Sequence, residues 1–273
     1  MAHVRRAAVA GTWYPDHPAP LISELDAHLA LADVDQDVPP RAIVAPHAGL
    51  RYSGPVAAYA YKAARLTRPA VIVLVGPSHF VPFSGVSIWP RGEWETPLGG
   101  LRVDEEIAGA IEAASTAVVE MDAPHGREHS LEMQLPFLAH LMPRATIVPM
   151  LMGHQTAATS FALGEALASV ISASGKNVLL VASSDLSHYE DARVAARLDG
   201  VVIDRIAALD AKGLMRTLER EPRHACGGGP MVSVLDAATR LGASSARILR
   251  YADSGDVSGD KSSVVGYLAA AIW

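Results

Sequence analysis

Ala70-Val-Ile-Val-Leu-Val-Gly-Pro-Ser-His79 is an unbroken aliphatic run, mostly β-branched, that stops at a glycine, a proline, a serine and a histidine. No polar residue alternates through it, so the run predicts a strand buried on both faces, as in a sheet covered by helices. Three other stretches share this character: Arg41-Ala-Ile-Val-Ala-Pro46, Ala145-Thr-Ile-Val-Pro-Met150 and Asn177-Val-Leu-Leu-Val-Ala-Ser183. Between and around them, apolar residues at helical spacing predict helices over residues 21–31, 55–66, 103–114, 130–142 and 157–172. The alternation of strand and helix predicts the α/β class, a three-layer sandwich with a central largely parallel or mixed sheet flanked by helices. Past Ser183 the spacing turns helical, over 192–209, 212–220 and 230–241, and two late strands, 246–251 and 264–272, are placed to close the sheet. Residues 82–98, rich in Trp, Pro and Gly, are expected to form a large loop or hairpin. No linker-like run divides the chain, so residues 1–273 are expected to form one domain.

Of the 273 residues, 50% are hydrophobic and 19% are charged. A core of that size needs no disulfide or structural metal, so a metal here would serve chemistry. A net charge of -6 argues against a nucleic-acid partner, whose binding would rest on neutralising phosphates. The N-terminus Met1-Ala-His-Val-Arg-Arg6 lacks an apolar signal core, and no apolar run reaches membrane length. A cytoplasmic protein with no membrane partner is therefore expected. The single cysteine excludes an internal disulfide and makes Cys226 a candidate ligand or nucleophile.

The histidines give the chemistry a place. His47 follows the first apolar strand, His79 the second, and His188 comes shortly after Ser183. Ligands bind at the carboxyl edge of parallel sheets, where the connecting loops converge. Imidazole is both a common metal ligand and the side chain that titrates near neutral pH. Cys226 stands in His224-Ala-Cys-Gly-Gly-Gly-Pro230, before a predicted helix whose N-terminus would favour a thiolate. His47, His79, His188 and Cys226 are thus expected to share one metal-binding pocket. His224 is a further candidate for the pocket lining. In Glu128-His-Ser-Leu-Glu132, Glu128 or Ser130 is placed to cap the helix that follows, and His129 and Glu132 are candidate pocket residues. The sequence lacks the His-Glu-x-x-His pattern of zincins, and Ser254-Gly-Asp-Val-Ser-Gly-Asp260 lacks the ligand spacing of an EF-hand.

Several phrases together resemble the Memo family, which in prokaryotes is named as protein B of the AmmeMemoRadiSam system. They are Ala10-Gly-Thr-Trp-Tyr-Pro15, Pro46-His-Ala-Gly-Leu-Arg-Tyr-Ser-Gly-Pro55, Gly76-Pro-Ser-His79, Trp94-Glu-Thr-Pro-Leu-Gly99, Glu128-His-Ser-Leu-Glu-Met-Gln-Leu-Pro136, Ser183-Ser-Asp-Leu-Ser-His188, Cys226-Gly227 and Ser254-Gly-Asp256. The resemblance implies a fold similar to the class III extradiol ring-cleaving dioxygenases. It also implies that His47, His79 and Cys226 are metal ligands, with His188 as the pocket acid/base beside Asp185. The cofactor it implies is Fe(II), with Cu or Zn as alternatives suited to a softer thiolate-containing site. Cysteine stands where the ring-cleaving relatives have a carboxylate ligand, so the resemblance implies a dioxygenase-like oxidoreductase acting on a small organic molecule with O2 without fixing ring cleavage as the reaction. Trp13 and Tyr52 are placed as walls for a small-molecule substrate. The resemblance further implies a functional link to a radical SAM protein and an AMMECR-like protein. Three functions follow from these residues: a metal-dependent oxidoreductase, a metal- or peptide-binding adaptor without turnover, and a cysteine hydrolase with Cys226 as nucleophile.

Overall fold

The computed structural model describes residues 3–35 and 37–273; Met1 and Ala2, the start of the N-terminal segment read above, lie outside the described residues. In chain order the strands are β1 (Val4–Arg5), β2 (Ala42–Ala45), β3 (Val71–Pro77), β4 (Val86–Ile88), β5 (Glu93–Trp94), β6 (Leu101–Arg102), β7 (Val118–Glu120), β8 (Thr146–Met152), β9 (Val178–Ser183), β10 (His188–Glu190), β11 (Ala246–Asp253) and β12 (Val264–Ile272). The large sheet runs β10-β12-β2-β9-β3-β8-β4-β7, with β11 also paired to β12.

At its centre β2, β9, β3 and β8 are all parallel, with Val71 in register with both Thr146 and Val178. Every residue of β3 is buried, as its unbroken aliphatic run requires. Each such side chain contributes about 1.5–3 kcal/mol when taken fully out of water. The flanks are antiparallel: β12 pairs with β2 on one side and β4 with β8 on the other. The sheet is therefore mixed.

Residues 82–98 depart from the expected loop or hairpin. Val86-Ser-Ile88 joins the main sheet as β4, and Glu93–Trp94 joins a separate small sheet, β1-β5-β6. Ser87 is fully buried and donates its hydroxyl to the Met121 carbonyl at 2.8 Å. A polar residue satisfied inside the sheet hides a strand that is already too short to show a period.

Two helix starts also differ from expectation, and proline explains both. The helix expected from residue 55 begins at Leu50 and carries Pro55 inside it. The missing N–H of Pro55 leaves only the carbonyl of Arg51 without its helical donor, and Arg51 is exposed to water. The helix expected over 130–142 begins as a 3-10 turn, Glu132–Gln134, before Leu135–Leu141, because Pro136 is tolerated only in a first turn.

The helices form two groups over the sheet. Pro18–Leu31, Leu50–Ala64 and Leu135–Leu141 pack together, and Glu105–Ala114, Ala157–Ser174 and Gly228–Arg240 form the other group. Ala157–Ser174 is long and apolar enough to cross a membrane by length and composition, but it packs against Gly228–Arg240. Because the four central strands are parallel, the residues after β2, β3, β8 and β9 emerge at one edge. That edge carries the histidines.

Candidate metal centre

His47 leaves the end of β2, His79 follows β3, and Cys226 lies just before the helix Gly228–Arg240. One ligand atom from each of the three lies within 4.8 Å of the others, and Cys226 Sγ is 3.2 Å from His47 Nε2. The hydrogen bonds behind the rings decide which nitrogen each presents. Ser183 Oγ donates to the Ser130 carbonyl at 2.6 Å and receives the Gln134 amide at 2.8 Å. Its one proton being committed, Ser183 accepts from His47 Nδ1 at 2.9 Å, which leaves the His47 Nε2 lone pair facing the thiol. Glu128 Oε1 can only accept, so His79 Nδ1 donates to it at 2.9 Å and leaves Nε2 free. Burial, and then the neighbouring imidazoles, hold His47 well below the ordinary histidine range. A neutral imidazole with its outer nitrogen fixed is the form that binds a metal.

Cys226 is placed by backbone. Its N–H donates to the Asp185 carbonyl at 3.2 Å, its own carbonyl accepts from Gln155 Nε2 at 2.7 Å, and Asp185 N donates to Sγ at 3.3 Å. Gly227 permits this approach, since a β-carbon there would stand 2.4 Å from the Ser183 carbonyl oxygen. Burial of the sulfur, and then the Asp185 charge, push the thiol well above its ordinary value. A cation at this point reverses that preference by stabilising the thiolate. Two imidazoles and one thiol whose outer atoms converge form a donor set that fits a transition metal.

A second group, His79, Glu128 and His129, also lies within 4.8 Å. It does not fit a metal in the same way. The Glu128 carboxylate already accepts from His79 N at 2.5 Å, from His79 Nδ1, from His129 N at 2.8 Å and from Ser130 N at 2.9 Å. Burial raises Glu128, but the bonds from His79 and Ser130 outweigh it and hold the carboxyl down at about 2. A carboxylate so occupied orients His79 and has little left to offer a cation.

The three donors open onto a cavity of about 440 Å³ whose wall also includes Trp13, Phe80, His129, Asp185, His188, Tyr189 and Val265. His188 donates Nδ1–H to the Leu186 carbonyl at 2.8 Å, so its Nε2 is the nitrogen free to take a proton. Asp185 is 3% exposed and accepts from His47 N at 2.7 Å through Oδ1. Its burial pushes the carboxyl up, against the pull of that hydrogen bond. Asp185 touches His47 and Cys226 directly, while the Nδ1 partner of His188 is a backbone carbonyl.

The remaining candidates divide. Trp13 and His129 are on the cavity wall, their rings 4.3 Å apart, and His129 stacks on His79 at 4.7 Å. Tyr52 is half-exposed beside the Arg51 guanidinium and is not among the residues lining the cavity. His224 is also outside it, its Nδ1 donating to the Leu198 carbonyl at 2.7 Å. Glu132 lies behind the wall and acts as a clamp. Its fully buried carboxylate pairs with Arg5 and accepts from Ala8 N, Val9 N and Tyr14 Oη, the last at 2.7 Å. These bonds fasten the N-terminal segment that carries Trp13.

Sequence reasoning did not single out Ser183, Gln134, Phe80 or Tyr189. Ser183 carried a usable signal as the one polar residue of an otherwise apolar strand, and Gln134 as a polar residue flanked by Met133 and Leu135; both are fully buried in the structure. Phe80 and Tyr189 each follow a candidate histidine directly. Nothing else in their local sequence marks them.

Known proteins bear on this arrangement at two levels. A solved structure of an uncharacterized protein, JW3007, from Escherichia coli K12 superposes with a TM-score of 0.52 at 16% identity, covering 83% of this chain and 98% of that one. At that identity the likeness speaks for the fold alone. In sequence, a "MEMO1 family protein" of Sulfolobus acidocaldarius is 41% identical, over 97% of this chain and 98% of the relative. Similar proteins from Methanosarcina mazei (42%, over 97% and 98%) and Thermotoga maritima (39%, over 98% and 99%) carry the same description. The family model described as Memo-like protein matches residues 5–271, a span that includes the Arg5 clamp, the three converging donors and His188. The chain belongs to the Memo family.

Proposed function

We propose that this protein is a metal-dependent oxidoreductase acting on a small organic molecule, with Fe(II) as the working metal and Cu or Zn as alternatives. The observation that carries the reading is the convergence of His47, His79 and Cys226 on one side of a cavity that also holds His188. Three protein donors leave coordination positions for a small molecule, whereas a structural site is closed by four. A bound Fe(II) supplies Lewis-acid and redox chemistry to a molecule held in the cavity.

The chain's own residues do the rest. Ser183 and Glu128 hold the two imidazoles in one tautomer, and Asp185 ties the backbone of His47, through its carboxylate, to the backbone N–H of Cys226, through its carbonyl. His188 Nε2 takes a proton from the bound molecule, and the Leu186 carbonyl stabilises the imidazolium through Nδ1–H. Trp13, Phe80 and His129 cover one wall and limit water there. The cysteine-hydrolase reading is disfavoured, because burial raises the Cys226 thiol and a nucleophile needs it lowered.

The test is anaerobic loading with Fe(II), followed by O2 uptake against a panel of small phenols, thiols and heterocycles. The reading expects about one Fe(II) per chain and uptake that depends on one compound class. It also expects that uptake to be lost in His188→Gln while iron is retained. Iron binding with no substrate-dependent uptake across the panel would point instead to a non-catalytic metal-binding protein.

A further inference from the structure

Among the described residues, three other than glycine have a left-handed backbone: Arg68 at φ 46°, Tyr189 at φ 63° and Leu209 at φ 54°. Arg68 closes the 3-10 turn Arg65–Thr67, and Leu209 follows the helix Ala192–Ala207 and its capping Ala208. Left-handed residues are the ordinary way to end a helical turn. Tyr189 has no such reason. It stands inside β10, between His188 paired with Val265 and Glu190 paired with Val264, where the register slips. A bulge that needs a left-handed residue usually takes glycine, because a β-carbon there crowds the following carbonyl.

Packing gives Tyr189 nothing in return for that conformation. Its side chain is 77% exposed, and among the described residues its hydroxyl has no hydrogen-bond partner. The one ring it meets is His188, at 5.6 Å and nearly edge-on. Yet Tyr189 lines the same cavity as His47, His79 and Cys226. An unfavourable backbone that holds a large, unpartnered aromatic at the mouth of a donor cluster is the pattern expected of a functional position. Phe80 and Trp13, 43% and 37% exposed, offer two further aromatic surfaces around His129.

We propose that Tyr189 is a ligand-contacting residue that sets specificity at this cavity: the bulge holds its ring at the mouth to lie against a flat, unsaturated group of the bound molecule. The bulge keeps the ring out of the core, 77% exposed and 5.6 Å from the His188 ring. The hydroxyl, having no partner, is dispensable to that contact. The inference rests on the metal reading of the cavity, because the molecule in question is one held there by its metal-binding group.

The experiment compares two hydroxamates on the Co(II)-loaded full-length protein, followed by the visible spectrum of the metal. Acetohydroxamate and benzohydroxamate share the metal-binding group and differ in the ring, so the ratio of their affinities isolates what the cavity mouth gives a flat group. Tyr189→Gly and Tyr189→Asn, both at home in the left-handed region, are each expected to lower the benzohydroxamate preference by about threefold to tenfold while acetohydroxamate binding is unchanged. Tyr189→Phe is expected to keep the preference. Melting temperature in Tyr189→Gly is expected to be held or raised, since the glycine relieves the backbone.

An unchanged preference in the Gly and Asn variants overturns the inference. So does a melting temperature lowered by more than about 4 °C in both, which would make the ring a part of the fold. If acetohydroxamate produces no spectral change in the unaltered protein, the metal reading fails, and the inference that rests on it fails with it.

Discussion

Two clusters of donor atoms meet at His79 and differ in what their lone pairs are doing. In the first, His47, His79 and Cys226 turn their outer atoms toward a shared cavity, each imidazole having spent only its inner Nδ1–H. In the second, Glu128 and His129 stand as close to His79, but the carboxylate receives four N–H groups from the segment around it. Similar residue types at similar distances thus give a set of open donors in one case and a brace in the other. Counting hydrogen bonds separates the two where distance alone does not.

The comparison can be broken most directly at Cys226. Cys226→Ala is expected to reduce Fe(II) or Zn(II) affinity by at least about a hundredfold, read by anaerobic competition with a chelating dye. Retention of near-normal affinity would remove the cysteine from the donor set. Glu128→Gln tests the brace. Removing a partner that orients a metal-binding histidine is expected to weaken affinity by about tenfold to a hundredfold without abolishing it, measured in the same competition. Complete loss would make Glu128 a ligand after all.

A third measurement uses the proton. Burial raises the thiol, so Cys226 is protonated near neutral pH in the metal-free protein and must release its proton to bind. Affinity is therefore expected to rise by about tenfold per pH unit between pH 6 and 8, with proton release seen by calorimetry in two buffers. A flat profile would mean that the sulfur binds without deprotonating. For the fold itself the dependence runs in the same direction but at lower pH: Glu128, held at about 2 from an ordinary 4.5, contributes stability that is complete above the ordinary value and is lost as pH falls toward about 2.

The smallest effect on metal is expected at the neighbouring residues. His129→Phe keeps a ring against His79 and is expected to change metal affinity by less than about threefold. Glu132→Gln is expected to leave metal affinity similarly unchanged while lowering stability by about 3–5 kcal/mol in denaturant titration, because it leaves the buried Arg5 charge without its counter-ion. A metal defect in either variant would redraw the boundary between the two clusters.

The strands were legible because burial on both faces leaves an unbroken aliphatic run, and Val71–Pro77 and Val178–Ser183 fall where their sequences predict. Val86–Ile88 was not, because a three-residue strand with a buried serine carries no period. The antiparallel flanks were equally hidden, since strand direction is set by which edge is left for the returning chain. Among the polar residues, placement after a strand found His47, His79 and His188. The helix-start phrase Glu128-His-Ser-Leu-Glu132 set Glu132 beside His129 as a candidate pocket residue, although Glu132 faces Arg5 and the N-terminal segment. Its neighbours come from more than a hundred positions away, and no local pattern can show them.

The amino-acid sequence by itself determined that this is an α/β chain of the Memo family with histidines after its buried strands and a single cysteine before a glycine run, because hydrophobic period and residue order are properties of the chain. Only the tertiary structure decided which nitrogen each histidine presents, that Glu128 is fully engaged and Cys226 is not, and that a bulge turns Tyr189 outward. Tautomer, lone-pair occupancy and ring direction depend on hydrogen-bond partners that folding brings from distant segments.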